Sequence, residues 1–279
     1  MNVTVIGTTD VDYTTAWHYA AALENLGYEV QRLAVRYPWV EVLSVRGIAA
    51  VHVGRLAGLP RLPMPPAKVL FTDDGVWAAA NGAHYLRSGC HGPEAHDSEP
   101  YPPWEPRWDV CFVGSSPGHP EWPHRAELIA HLRDWFGERF LHVGPGGVAI
   151  EDDSRKFWGQ DIPLRGHWLN RTLRSVPITI GDSVFHDPNL PYWSERCYEV
   201  WARGGFLIHP RNELLMDELG PLPGAKWDVG DWDALREEID FHLAYPEVRE
   251  ATRVRLQEIV RTHCTYEHRA QELLATLGA

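Results

Sequence analysis

The chain has 279 residues, 44% hydrophobic and 23% charged, which is typical of a folded globular protein and long enough for two domains. Its formal net charge of −12 opposes tight wrapping of DNA or RNA, so nucleic acid is not a favoured partner. No apolar run approaches the roughly 20 residues that a membrane-spanning helix needs, and no cleavable signal precedes the first strand, so we predict a cytoplasmic protein without a membrane span.

The first half of the chain predicts alternating strands and helices. The apolar run NVTVIG predicts a strand. A helix is expected from about Thr14 to Leu26, because apolar residues recur at spacings of three and four, and Gly27 ends it. The other predicted elements are the strand YEVQRLAV, a weak helix near Val40 to Val45, and the strands IAAVHVG and KVLFTDD. This alternation is typical of a parallel sheet covered by helices.

A linker is predicted where the composition changes, from Ser88 to Arg107. The stretch SGCHGPEAHDSEPYPPWEPR is rich in proline, glycine and acidic residues, which cannot sustain a helix or an inner strand. Its histidines and Cys90 match no zinc spacing, so we predict no metal site there. The four cysteines lie far apart in the sequence and predict no disulfide framework.

The second half restarts the alternation and predicts a second α/β domain. Its predicted elements are the strand WDVCFVGSS, a helix from His124 to Phe136, the strands FLHVG and VPITIGDS, a helix from Ser194 to Arg203, the strand GFLIHP, and helices at 232–244 and 246–260. Ligands bind beyond the carboxyl ends of the strands in such sheets, so the loops after these strands are where chemistry is expected. The sequence has neither a G-x-G-x-x-G fingerprint nor a P-loop.

The stretch YWSERCYEVWARGGFLIHP is the most informative in the chain. It predicts a helix that bears Arg196 and Glu199 and stops at Gly204 before a buried strand. Its string RCYEVWARGG resembles the R-x-x-E-x-x-A-x-G signature in the C-terminal lobe of GT-B glycosyltransferases, especially the CgeB-like group of the glycosyltransferase family 1 clan. Further strings that resemble this family, in its order, are WDVCFVGSSPGHPEWPHRAELIAHL, LRGHWLNRTLRSVPITIGDS and HCTYEHRAQELL, and ALENLGYEV resembles the end of the first helix in many GT-B enzymes.

The resemblance implies an α/β protein with the GT-B fold, which consists of two Rossmann-like, doubly wound lobes that face each other across a cleft. The implied boundaries are an acceptor lobe at residues 1–104, a donor lobe at residues 105–265, and a last helix at residues 266–279 that can pack back on the N-terminal lobe. The resemblance covers nearly all of the second half of the chain and fragments of the first.

The resemblance places a nucleotide-sugar donor in the C-terminal lobe. Glu199 is the expected ribose ligand, because a carboxylate can accept hydrogen bonds from two vicinal hydroxyls, and the helix amino end favours the donor diphosphate. Arg196 and Arg125 are the expected phosphate ligands, although Arg196 and Glu199 also fit a plain surface ion pair. Gly166 and His167 fit either a backbone contact to the nucleobase or a loop turn. The remaining predicted donor-binding residues are Gly114, Ser115, Gly144, Asp182, Tyr192, Trp193 and Ser194.

The catalytic base is expected in the N-terminal lobe, where the acceptor would sit. Asp73 and Asp74 at a strand end are the best placed, and Asp10 and His18 are the alternatives. Such a base needs a pKa brought towards neutrality, whereas each aspartate also fits a turn or helix cap. If the enzyme retains the anomeric configuration, no protein base is required.

The sequence therefore predicts a glycosyltransferase that moves a hexose or pentose from a nucleotide diphosphate sugar, with a UDP-sugar favoured, to a hydroxyl of a small-molecule, glycan or protein acceptor. No cofactor or metal is expected, because no D-x-D pair flanked by apolar strand residues is present. Three alternatives stay open: a transferase that acts on a hydroxylated DNA base, a nucleotide-sugar epimerase, and a non-catalytic module that binds nucleotide sugars.

Overall fold

The structure is a computed structural model, and it describes about three fifths of the chain. The described residues are 2–7, 15–34, 40–45, 48–53, 69–72, 79, 84–85, 88–90, 107–114, 118, 122–144, 166–183, 194–213, 219 and 226–276. Within these ranges, none of the helices has the length and apolar character needed to cross a membrane.

The chain divides into two compact units. Unit 1 consists of Met1–Gly92, Leu190–Trp193 and His263–Ala279, and unit 2 consists of Pro93–Asn189 and Ser194–Thr262. The C-terminal segment therefore returns to the unit that contains the N-terminus.

Unit 1 contains a six-stranded sheet in the order β2-β1-β3-β4-β5-β6. Its strands are β1 Asn2–Gly7, β2 Glu29–Ala34, β3 Val40–Val45, β4 Ile48–Val53, β5 Val69–Thr72 and β6 His84–Tyr85. Strand β3 pairs antiparallel with both β1 and β4, and the other pairs are parallel. The unit also contains helix α1, Thr15–Asn25, and the C-terminal helix α7, Tyr266–Thr276.

The predicted weak helix near Val40 to Val45 is wrong, because this segment is strand β3. Three of its six residues are valine, whose β-branched side chain favours strands. Six residues also give few hydrogen bonds to offset the cost of helix nucleation. Val45 pairs with Ile48, so β3 and β4 are consecutive strands that pair antiparallel from their adjoining ends. The sheet of this unit is therefore mixed, not wholly parallel as predicted.

Helix α7 packs on α1 to form a small core in unit 1. Tyr19 and Leu23 of α1 are buried with Tyr266 and Leu273 of α7. Gly27 ends α1 as predicted, with a φ of +84° and its backbone N–H donating to the Glu24 carbonyl oxygen at 2.9 Å. The buried α1–α7 contact joins the two ends of the chain within one unit.

The start of α7 is also bonded to residues 88–90. Arg269, which is 2% exposed, donates from Nε to the carbonyl oxygen of Ser88 at 3.0 Å. The backbone N–H of Tyr266 donates to the Cys90 carbonyl oxygen, and the Cys90 N–H donates to that of Cys264. These bonds fix the position of the final helix in unit 1.

Unit 2 contains a five-stranded parallel sheet in the order β11-β10-β9-β7-β8. Its strands are β7 Val110–Val113, β8 Phe140–Val143, β9 Ile178–Ile180, β10 Leu207–Pro210 and β11 Lys226–Trp227. Its helices are α2 Arg125–Phe136, α3 Gly166–Ser175, α4 Glu195–Ala202, α5 Trp232–Ala244 and α6 Pro246–His263, whose last residue belongs to unit 1. The strands and helices predicted for this half are confirmed, and α3 is an additional helix.

Four of the five strands of unit 2 are buried along their whole length, because helices cover the sheet. All residues of β7, β8, β9 and β10 are buried. They pack with Leu128 and Leu132 of α2 and with Leu235 and Ile239 of α5, and full burial of such a side chain contributes about 1.5–3 kcal/mol. The four cysteines are free thiols, and all are buried.

Candidate functional site

The strand order of unit 2 reverses between β7 and β9. The chain passes from β7 outward to β8, then returns to the other side of β7 to form β9 and β10. At such a switch point the loops at the carboxyl ends of the two central strands diverge, and a ligand fits between them. The loops in question begin at Gly114 after β7 and at Gly181 after β9, so this edge of the sheet is the candidate site.

Two of the predicted glycines allow the ends of β7 and β8 to approach each other. The backbone N–H of Gly114 donates to the Val143 carbonyl oxygen at 3.0 Å. Gly144 has a φ of +130°, and a Cβ added to it would lie 1.9 Å from the carbonyl oxygen of Gly114. Only glycine fits at position 144 without displacing this backbone.

Arg125 and Asp182 form the central ion pair of the site. Nε of Arg125, at the start of α2, lies 2.5 Å from Oδ2 of Asp182 in the loop after β9, and the two side chains are 4% and 12% exposed. The guanidinium carbon also lies 4.2 Å from the ring centroid of Trp122. Burial raises the pKa of Asp182, and the hydrogen bond and charge of Arg125 oppose this rise. The pair fixes the loop after β9 against the start of α2.

The amino end of α4 lies at the same edge of the sheet. Oγ of Ser194 caps this helix by accepting a hydrogen bond from the backbone N–H of Arg196 at 3.3 Å. Arg196 is close enough to Asp182 for its charge to lower the pKa of that carboxyl, although burial has the larger, opposite effect. Burial raises the pKa of the Cys197 thiol, and the nearby charge of Asp182 raises it further. The structure therefore places four predicted residues close together: Arg125, Asp182, Ser194 and Arg196.

Glu199 lies between two arginines. Arg196 is in α4, and Arg203 directly follows the end of this helix. The Glu199 carboxylate is 3.7 Å from Nη1 of Arg196 and 3.8 Å from Nη2 of Arg203. Arg203 is 2% exposed and also donates to Oδ1 of Asn170 in α3 at 2.6 Å. The ion pair considered as an alternative is present, but Glu199 is only 14% exposed, so it does not lie on an open surface.

His209 is a residue of the site that the sequence analysis missed. It lies in β10, is 4% exposed, and donates from Nδ1 to the Pro210 carbonyl oxygen at 2.7 Å. Its ring also contacts the backbone of Asp182, and a Cβ on Gly181 would lie 2.6 Å from the ring. Burial lowers the pKa of His209 to about 4, so the ring is neutral at physiological pH. The only available signal was a histidine at the carboxyl end of the predicted strand GFLIHP.

Three other predicted residues are described elsewhere. Gly166 and His167 are the first two residues of α3, so they begin a helix and not a loop turn. His18 lies in α1 of unit 1, is 2% exposed, and stacks on Tyr266 with ring centroids 4.7 Å apart. The predicted site residues that fall outside the described residues are Asp10, Asp73, Asp74, Ser115, Tyr192 and Trp193. Within the described part of the chain, no group of three or more His, Cys, Asp or Glu residues is arranged to hold a metal ion.

Residues 124–275, more than half of the chain, match the model of a family described as glycosyl transferase-like. No curated protein matches the chain significantly. This match confirms the resemblance seen in the motifs and the predicted glycosyltransferase class. It includes α2, α4 and the loop that carries Asp182.

Several solved structures resemble the chain in fold. An α1,3-fucosyltransferase crystallised with GDP has a TM-score of 0.52 at 12% identity, covering 99% of this chain and 89% of its own. The same type of enzyme with GDP-fucose has a TM-score of 0.51 at 11% identity, covering 100% and 89%. A glycosyltransferase from Rickettsia africae ESF-5 has a TM-score of 0.53 at 11% identity, covering 95% and 74%. This likeness concerns the fold, and it confirms the predicted α/β fold of GT-B type.

Proposed function

We propose that this chain, which belongs to the glycosyl transferase-like family, binds a nucleoside diphosphate sugar at the switch point of unit 2 and transfers the sugar to an acceptor hydroxyl. The observation that carries the proposal is the position of the α4 amino end, with Ser194 and Arg196, beside the Arg125–Asp182 pair. Structures of similar fold hold GDP and GDP-fucose, which favours a donor of this chemical class.

Arg196 and the first turn of α4 are proposed to bind the donor diphosphate. The amino end of a helix presents backbone N–H groups and a partial positive charge, both of which favour an anion. Arg196 is 31% exposed, whereas Arg125 is 4% exposed. Arg196 is therefore the guanidinium with better access to a phosphate. Positive charge around the diphosphate stabilises the charge that develops on the leaving group as the bond to the sugar breaks.

Arg125 is proposed to act as a positioning residue and not as a direct phosphate ligand. An ionised Asp182 would repel a diphosphate, and the guanidinium at 2.5 Å offsets that charge. His209 adds no charge, because its pKa is about 4. The buried part of the site is thus close to neutral overall, and Arg196 supplies the attraction for the donor.

Glu199 is proposed to accept hydrogen bonds from the ribose hydroxyls of the donor. Its carboxylate is oriented by Arg196 and Arg203 at 3.7 and 3.8 Å, and a carboxylate can accept further bonds at its remaining lone pairs. Arg203 is in turn fixed by Asn170 at 2.6 Å, so the carboxylate is held in place before the ligand binds.

The catalytic base, the acceptor and the independence from metal stay proposals. Asp73 and Asp74 are the first candidates for the base, with Asp10 and His18 as alternatives. We propose a hydroxyl of a small molecule, glycan or protein as acceptor, and a reaction without a metal ion or other cofactor. Whether the donor carries UDP, as first predicted, or GDP, as in the fucosyltransferase structures, is decided by the following experiment.

The proposal is tested by thermal unfolding of the full chain with a panel of UDP-, GDP-, ADP-, CMP- and TDP-sugars. A ligand that binds only the folded state stabilises it by about 2.7 kcal/mol at 100 times its dissociation constant. We expect one nucleotide to raise the melting temperature of the wild type, and Arg196→Gln and Glu199→Gln to abolish the rise. If none of the nucleotides stabilises the chain, the proposed function is wrong.

Matched controls are available on exposed positions. Arg236→Gln removes an arginine that is 36% exposed and pairs with Asp240 on α5, and Glu272→Gln removes a glutamate that is 53% exposed on α7. Both variants should keep the full nucleotide shift. With the stabilising donor alone, release of an epimerised free sugar would favour the epimerase. Binding that never leads to turnover with any acceptor class would favour the non-catalytic module.

A further inference from the structure

A polar cavity lies in unit 2, at the opposite end of the sheet from the proposed donor site. Its volume is about 540 Å³. Val176 and Pro177 precede β9 and Phe206 precedes β10, so the cavity opens at the amino ends of these strands. Asp182 and Arg196 lie at the carboxyl ends, beyond a three-residue strand that is about 10 Å long at 3.3 Å per residue.

The cavity is basic in a chain that is acidic overall. Among the described residues that line it are Arg174, Arg249, Arg253 and Arg261, against the single carboxylate of Glu250. This leaves a surplus of three positive charges, whereas the whole chain has a net charge of −12. The four arginines are half-buried and Glu250 is 59% exposed, so the positive groups are those nearer the interior.

The geometry of α6 brings three of these arginines and Gln257 together. Residues 249, 253, 257 and 261 are four apart and therefore lie along one face of the helix. Arg174, in the last turn of α3, adds the fourth guanidinium. Gly204 has a φ of +84°, which favours glycine, and a Cβ added to it would lie 2.9 Å from Nε2 of Gln257 and 3.2 Å from Nη1 of Arg253, so these side chains converge on it.

Backbone carbonyls hold the arginines in position. Arg174 donates to the Arg203 carbonyl oxygen at 2.9 Å, and Arg261 donates to that of Ala202 at 2.7 Å. Arg253 donates to the Gly204 carbonyl oxygen at 3.3 Å. These bonds satisfy the last carbonyls of α4, but they do not neutralise the charges, because a carbonyl carries no full negative charge.

Capping of α4 does not by itself account for four arginines. Gln257, which is uncharged, donates to the same Ala202 carbonyl as Arg261, at 3.2 Å. Arg249 is bonded to a different helix, through the His242 carbonyl oxygen of α5 at 2.5 Å. Burial lowers the pKa of Arg249, which means that its charge is unfavourable in this environment. An anion in the cavity would offset this cost.

We propose that this cavity binds a phosphorylated small molecule through Arg174, Arg249, Arg253 and Arg261. The planar guanidinium matches phosphate oxygens with two parallel N–H bonds, and a guanidinium carries five N–H donors in all. The surplus of three positive charges suits an anion with several charges better than a single carboxylate. A bound phosphate group would connect α6 with α3 and thereby stabilise unit 2.

The test is isothermal titration of the full chain with inorganic tripolyphosphate. The Arg196→Gln background disables the proposed donor site, so the remaining binding reports the cavity alone. We expect this background to keep binding, and Arg249→Gln or Arg253→Gln added to it to weaken binding about tenfold each, as for loss of a charge-assisted contact. Absence of tripolyphosphate binding in the Arg196→Gln protein would overturn the inference, whatever the result with nucleotide sugars.

Two further variants separate binding from folding. Arg255→Gln removes an exposed arginine of the same helix that does not line the cavity, and it should bind like its parent. Glu250 pairs with Arg253 through two bonds at 2.5 and 2.7 Å. Glu250→Gln should therefore release Arg253 and strengthen tripolyphosphate binding several-fold. Equal affinities for Glu250→Gln, Arg253→Gln and their parent would contradict the proposed site.

Discussion

The ion pair between Arg125 and Asp182 gives the sharpest test of the site geometry. Its two side chains are 4% and 12% exposed, and Nε of Arg125 lies 2.5 Å from Oδ2 of Asp182. Asp182→Ala leaves a buried guanidinium without this carboxylate, beside the rings of Trp122 and Phe112. Removing one partner of a buried pair costs about 3–5 kcal/mol. Because solvent reaches Asp182 slightly, we expect a loss of about 3 kcal/mol in the free energy of unfolding.

The measurement is urea unfolding followed by tryptophan fluorescence, since Trp201 and Trp227 are buried in unit 2. A second variant, Arg125→Met/Asp182→Ala, removes both charges. An apolar replacement of a buried pair is often close to neutral, so this double variant should lose less stability than Asp182→Ala alone. The double variant is expected to be the more stable of the two only if the cost of Asp182→Ala comes from the isolated charge of Arg125 and not from lost packing.

The matched control is an exposed pair in the same unit. Arg236 and Asp240 of α5 are 36% and 52% exposed and lie 2.8 Å apart. Asp240→Ala should cost about 0–1 kcal/mol, as is usual for surface pairs. The reasoning is refuted if Asp182→Ala costs no more than Asp240→Ala, or if the double variant is less stable than Asp182→Ala.

Two further predictions concern the same sheet. Gly144→Ala should cost about 3 kcal/mol or more, from the strained backbone and from the overlap with the Gly114 carbonyl at 1.9 Å. Gly137→Ala, at a φ of +52° with open space around it, should cost only about 1 kcal/mol. Equal melting temperatures for the Gly144→Ala and Gly137→Ala variants would contradict this difference. Burial lowers the pKa of His209 from 6.5 to about 4, so the unfolded chain binds more protons between these values and stability falls as the pH drops. We expect a loss of about 3 kcal/mol from pH 6.5 to 4. His209→Asn, which keeps a donor near Nδ1, should reduce this slope in urea unfolding, and an unchanged slope would exclude His209 as a cause.

Most elements of unit 2 could be predicted from the sequence, because they depend on local patterns. The apolar runs that end in Gly114 and Gly144 are strands β7 and β8, and the helix with Arg196 and Glu199 lies at 195–202. Strand β3 could not be predicted reliably, because its six residues fit a short helix or a strand, and pairing with β1 and β4 decides between them. The sequence predicts no helix at α3, because Gly166 and His167 also fit a nucleobase contact or a loop turn.

The sequence alone determined which residues stand at the carboxyl ends of the strands, since strand ends and glycine turns are marked locally. Only the tertiary structure decided which of them meet. Arg125 and Asp182 are 57 positions apart, and they pair because β7 and β9 are neighbours in the sheet. The arginines of α6 likewise meet Arg174 only when α6 covers the ends of α3 and α4. Such contacts depend on which buried faces pack together, and local periodicity does not specify that choice.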